Sequence, residues 1–150
     1  MIYEAIHDFT KNLIYATDKQ KINWIPFAKL QQKNLFLDIE EYIQKQVCDK
    51  YFHFRPDHSY YYLQGRGIIV FVRIDAVQES GGLILPSYGL VLQIRENSKI
   101  FYFNYPAPLL TQLNTSIVNY MNHDLNYPDS LYEFLGLLDE ADDPLNRTEN

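Results

Sequence analysis

Cysteine is nearly absent from this chain: Cys48 is the only one in 150 residues. A lone thiol excludes an intramolecular disulfide and leaves a metal site without its usual thiolates. Long apolar runs are missing too. The longest, Ile68 to Val72, falls far short of the roughly 20 residues a membrane-spanning helix needs. Positive charge is in deficit, with 13 Lys and Arg against 19 Asp and Glu for a net charge of −6. That balance argues against duplex nucleic acid as a main partner, because phosphate contacts need a basic surface. Glycine is scarce, and neither glycine-containing stretch is a phosphate loop. Gly65-Arg66-Gly67 lies between two strand patterns, and Ser80-Gly81-Gly82 has the same placement, so neither offers a helix N-terminus to a phosphate.

Histidine is also too sparse for the sites it suggests. His7-Asp8 and His123-Asp124 repeat a dipeptide of metal-dependent phosphohydrolases, but such sites need several more His and Asp than the four histidines here. His53, Asp57 and His58 share one loop in a spacing that is not a metal-ligand pattern, with no anchored third ligand. No metal and no cofactor are expected. Cys48 lies close to the apolar stripe of a helix, with nothing cationic beside it to lower its pKa, and reads as a structural thiol.

What the chain has in abundance is aromatic residues: 13 Tyr, 9 Phe and 1 Trp, 15% of the total. With 47% hydrophobic residues this composition gives one folded domain, expected over 1–138, followed by an acidic tail over 139–150. Charge is unevenly placed. Lys11, Lys19, Lys21, Lys29 and Lys33 share their stretch with Asp18 alone, whereas Asp124 to Asn150 holds eight acids and only Arg147. These are two solvated surfaces of opposite sign, or an acidic end that docks on a basic one.

Ile2, Ile6, Phe9, Leu13 and Ala16 recur at helical spacing and predict a helix over 3–18. Lys21 to Ile25 alternates, and Pro26 bars a continuing helix, so a short extended segment with Trp24 turned inward is expected. Asp38 and Glu41 form a capping box before Ile39, Ile43 and Val47, predicting a helix over 39–51. Phe54 to His58 reads as a loop around Pro56.

The stretch Phe9 to Trp24, with Ala16-Thr17 before Lys21-Ile22-Asn23-Trp24, resembles small uncharacterised bacterial proteins often carried by phages or mobile elements. In these, a first helix ends in an Ala-Thr step and a Lys-Ile-x-Trp segment, then antiparallel strands and C-terminal helices follow. Asp18-Lys19-Gln20 stands where that pattern has a glycine-containing turn. The resemblance implies a bacterial or phage cytoplasmic origin and no chemistry. A cytoplasmic location also fits a chain whose first residues enter directly into an amphipathic pattern.

The middle of the chain reads as β. Tyr60 to Leu63 and Ile68 to Val72 flank Gly65-Arg66, the signature of a two-residue hairpin turn, pairing Leu63 with Ile68 and Tyr61 with Val70. A second hairpin around Asn97-Ser98 is expected to pair Ile94 with Phe101 and Leu92 with Phe103. Gln78 to Gly89 is expected as a long connection. Pro108 opens a helix to about Asn122, and Ser130 with Glu133 caps a short last one over 131–138. The fold class is therefore α+β: a four-stranded antiparallel sheet of two hairpins with two N-terminal and two C-terminal helices.

One sheet face is expected to carry Tyr61, Leu63, Ile68 and Val70 with Leu92, Ile94 and Phe101 as the core. The other carries Tyr60, Tyr62, Ile69, Phe71 and Tyr102, too apolar for a solvated face. That second face is expected to be covered, either by the N-terminal helix and Trp24 or by a second copy in a homodimer, the dimer being preferred. As function, the sequence points to a non-enzymatic protein-interaction or regulatory module of phage, mobile-element or immunity type, with those five residues as the interaction surface. The alternatives are a small-molecule-binding protein or enzyme with a Tyr-lined pocket near His53, Asp57 and His58, and a nucleic-acid-binding accessory protein using the Lys11–Lys33 region.

Overall fold

A computed structural model describes residues 2–30, 37–77, 84–95 and 98–124. The N-terminal periodicity forms helix α1 (Ile2–Asp18), whose stripe of Ile6, Leu13 and Ile14 is buried. Two threonines share that stripe without cost, because Thr10 Oγ1 and Thr17 Oγ1 donate back to the carbonyls of Ile6 and Leu13. The helix ends in a left-handed residue, Gln20 at φ 59°. The Gln20 N–H reaches the Thr17 carbonyl and the Lys21 N–H reaches that of Ala16, the bond pair of a Schellman cap. Gln20 thus takes the position that usually belongs to glycine.

Strand β1 (Ile25–Pro26) follows Trp24, then a single 3-10 turn over Phe27–Leu30. Helix α2 (Leu37–Tyr42) loosens into a π turn over Ile43–Val47. It is shorter than the expected 39–51 because the Asp49 carboxylate accepts the N–H groups of Tyr51 and Phe52 and turns the chain. Strand β2 (Phe52–Phe54) then pairs with the far end of β4. Strands β3 (Tyr60–Gln64), β4 (Gly67–Val77), β5 (Ile84–Gln93) and β6 (Ile100–Phe103) complete the sheet, and helix α3 (Ala107–Asp124) follows.

The sheet is antiparallel throughout and runs β1-β3-β4-β5-β6, with β2 lying beside β4 in line with β3. It therefore has six strands where four were expected, and the described helices number three, not two and two. The expected last helix and the acidic tail lie outside the described residues. Between β2 and β3 one edge is interrupted: Phe54 faces Ile74 and Tyr60 faces Phe71. Six steps along one strand thus match three along the other, and the surplus is the 3-10 turn Pro56–His58.

The first hairpin has the expected register, Leu63 with Ile68 and Tyr61 with Val70, and Gly65 supplies the positive φ its turn requires. The second differs. Leu92 faces Phe101 and Leu90 faces Phe103, two residues from the expected pairing. A longer loop is closed by Ser98, whose hydroxyl donates to the Arg95 carbonyl and accepts its N–H. A two-residue slip preserves each strand's faces. The correction that matters lies between the hairpins, where β5 pairs Val91 with Val70 and Leu90 with Phe71. This turns the second hairpin over relative to the first. Part of the expected 78–89 connection is strand as well. Pro86 sits in it where β5 extends beyond β6, a position proline tolerates.

Both sheet faces are consequently buried. On one, Val70, Val72, Ile74 and Val91 pack under Ile39 and Ile43 of the α2 segment and Phe27 of the 3-10 turn. On the other, Ile69, Phe71 and Leu90 pack under α1, α3 and Trp24. β4 sits at the centre of a three-layer sandwich, which is why it reads as a continuous apolar run.

Candidate functional site

The helices cover most of the aromatic face. Phe71 is fully buried and Ile69 nearly so; Tyr60 and Tyr62 are half-buried. Trp24 meets Tyr62 edge-on at 5.2 Å between ring centres, and Phe71 stacks on Tyr88. Burial pushes the phenols of Tyr60 and Tyr62 up. Tyr102 is not with them. The overturned second hairpin places it against the opposite core, across Gly89, where any Cβ would meet its ring at 2.6 Å. The five residues expected as one interaction surface are thus divided between the two sheet faces, and Ile69 and Tyr102 also line the groove described below. Within the single chain, α1, α3 and Trp24 provide the cover for which a homodimer was preferred.

The residues suggested for an enzyme lie on the surface and line neither part of the groove described below. His53 is exposed, with Nε2 3.0 Å from the Lys50 carbonyl oxygen. Asp57 is held by the Arg55 guanidinium, which lowers its pKa, and the His58 ring stands 3.5 Å from it on the surface. What this loop builds instead is an ion-pair chain anchored on Asp75, a carboxylate that is 2% exposed. Arg55 Nη1 donates to Asp75 Oδ2 at 2.7 Å, and Arg73 Nε donates to Oδ1 at 2.8 Å. Burial raises the Asp75 pKa, but the two guanidiniums, Arg73 first, outweigh it and hold the carboxyl below its ordinary value. The Ser59 hydroxyl ties the same corner by donating to the Arg55 carbonyl and accepting the Arg73 N–H. This network pins the interrupted edge. Burial pushes the Cys48 thiol up, against thiolate chemistry. Among the described residues, no group of three or more His, Cys, Asp or Glu could hold a metal. No helix among them is long and apolar enough to cross a membrane.

Among the described residues a concave feature lies elsewhere. Between the N-terminal half of α1 and strands β5 and β6 runs an apolar groove in two adjoining parts, of about 370 and 200 Å³. Phe9 and Leu92 line both parts. Ile2, Ala5 and Ile6 form the helical wall of the larger part, and Phe101, Tyr102, Phe103 and Tyr105 the opposite one. Ile69 and Ile94 continue it toward the hairpin tips.

Its rim is open and apolar: Ile2 is 70%, Ile94 68%, Tyr3 52%, Phe101 45% and Tyr105 37% exposed. Tyr3 and Tyr105 stack at 5.8 Å, and Lys99 Nζ stands 5.4 Å from the Phe101 ring centre. Sequence reasoning placed Ile94 and Phe101 in the core. Ile94 lies just beyond the end of β5 and Phe101 near the start of β6, where the groove separates the strands from α1. The sequence pattern put Ile2, Ile6 and Phe9 on one apolar stripe with Leu13, so nothing in it set the groove apart from the core.

The chain has no significant match among protein-family models, curated proteins or solved structures.

Proposed function

We propose that the chain is a non-enzymatic protein-interaction module and that the groove between α1 and the β5–β6 edge is its docking surface. The observation that carries this is the rim. Five large apolar side chains along its two parts are each between a third and three-quarters exposed, where isolated exposed apolar residues are ordinary but a cluster marks an interaction surface. Aromatic residues dominate it, as at the centres of protein interfaces. The larger part of the groove also has the size of a small-ligand site. The wide-open rim favours a protein segment, although Gln64 and Gln93 bring polar groups to the smaller part.

The test compares affinity capture from the source organism by the wild-type chain, an Ile94→Asp/Phe101→Asp variant, and Tyr15→Asp. Tyr15 is 60% exposed and outside the groove. The expected result is a set of proteins held by the wild type and Tyr15→Asp and lost from the groove variant. Identical sets for all three, with all variants folded, overturn the proposal.

A further inference from the structure

We infer that the groove is occupied in the resting chain by the chain's own C-terminal segment, residues 131–143, which a partner must displace. The inference rests on the groove being a docking surface. Helices α1 and α3 lie side by side and parallel. Tyr3 stacks on Tyr105 just before α3 begins, and Tyr120 near its end donates from Oη to Asn23 Oδ1 just after α1. α3 therefore ends at Asp124 beside the C-terminal end of α1, while the groove lies at the N-terminal end, roughly 20 Å away at 1.5 Å per helical residue. The linker 125–130, fully extended, covers about 20 Å. The segment beyond it reaches the groove.

Its sequence also fits. Leu131, Phe134, Leu135 and Leu138 repeat at helical spacing, an apolar ridge of the kind that groove-binding helices present. Asp139, Glu140, Asp142 and Asp143 follow directly, and the groove's mouth carries the exposed cations Arg95 and Lys99. The lysines nearest the end of α3, Lys19 and Lys21, follow α1 next to Asn23 and offer charge alone, since both parts of the groove lie along the N-terminal half of α1. Apolar complementarity therefore sends the segment to the far end, past the nearer lysines. The consequence is autoinhibition: a groove free one-tenth of the time binds its partner about tenfold more weakly than a vacant one.

The experiment uses the full chain at low concentration, joined by a zero-length carbodiimide and mapped by mass spectrometry. The expected product has monomer mass, with Lys99 linked to acids in 139–143 at least threefold more often than Lys19 or Lys21, and the preference vanishes in Leu135→Asp. Links mainly to Lys19 or Lys21, links only at dimer mass, or no links at all overturn the inference. Amide NMR shifts provide a second reading. Leu135→Asp, a change outside the described body, is expected to move Phe9, Leu92 and Phe103, and unmoved signals also overturn it. If partners are captured through the groove while these signals stay still, only the C-terminal occupant fails.

Discussion

Thr17→Val probes how the aromatic face is sealed. Trp24, the chain's only tryptophan, is 1% exposed and donates from Nε1 to Thr17 Oγ1 at 3.0 Å. Thr17 itself is buried, and its hydroxyl donates a hydrogen bond to the Leu13 carbonyl at 2.6 Å. Valine keeps the shape and removes the acceptor, so the indole N–H is left buried without a partner, a loss of about 1–3 kcal/mol. Thr17→Ser keeps both hydrogen bonds and loses one methyl group, costing about 1 kcal/mol. In Trp24→Phe the donor is gone, so adding Thr17→Val to it costs well under 1 kcal/mol. The coupling between the two sites is therefore about 1–2 kcal/mol, read as a double-mutant cycle from urea unfolding. Circular dichroism follows all variants, with Trp24 fluorescence as the second probe where it is present. For a domain of this size, 2 kcal/mol lowers Tm by roughly 4–8 °C. Additive costs, or a Thr17→Val variant as stable as wild type, refute the claim that this hydrogen bond holds the α1 end over the sheet.

Two further outcomes follow from other parts of the sheet. Asp75→Asn is expected to lower stability at neutral pH by about 2 kcal/mol, less than for a fully buried pair because Arg55 and Arg73 reach solvent. The folded pKa of Asp75 is depressed, so its contribution is complete above the unfolded value and is lost as pH falls through the folded one. The wild-type stability curve should therefore descend below about pH 4 more steeply than the variant's; parallel curves contradict this. Gly67→Ala places a Cβ 2.3 Å from the Ile94 carbonyl oxygen, a backbone atom with little room to give. A cost of about 2 kcal/mol or more is expected from thermal unfolding, and a neutral result means that β5 is not so close.

The first hairpin was legible because Gly65 fixes its turn and the β-branched run fixes its strands. The second was less so. Asn97-Ser98 suggests a two-residue turn, but the Ser98 hydroxyl closes a longer loop, and no local pattern says which face of β5 joins which face of β4. That choice is made by the packing of Leu90 with Phe71 under α1 and α3, a long-range contact. β2 was hidden because three residues after a helix carry no readable alternation; it exists through its pairing with Ala76–Ile74. The need to cover the aromatic face was apparent from composition and register, although the preferred cover was a second molecule. The groove was not apparent. An apolar residue at a hairpin tip looks like core until the packing around it is known, and Leu63, expected inside, is 54% exposed as well.

Site-specific photo-crosslinking in intact cells tests the docking surface most directly. A benzophenone side chain replaces Phe101 or Tyr105 at the groove, and Tyr15 or Phe52 as exposed positions away from it. Covalent adducts to a defined partner protein are expected at positions 101 and 105 and not at 15 or 52. Equal adducts at all four positions, or none with another protein at 101 and 105, contradict the assignment of the groove as an interaction surface.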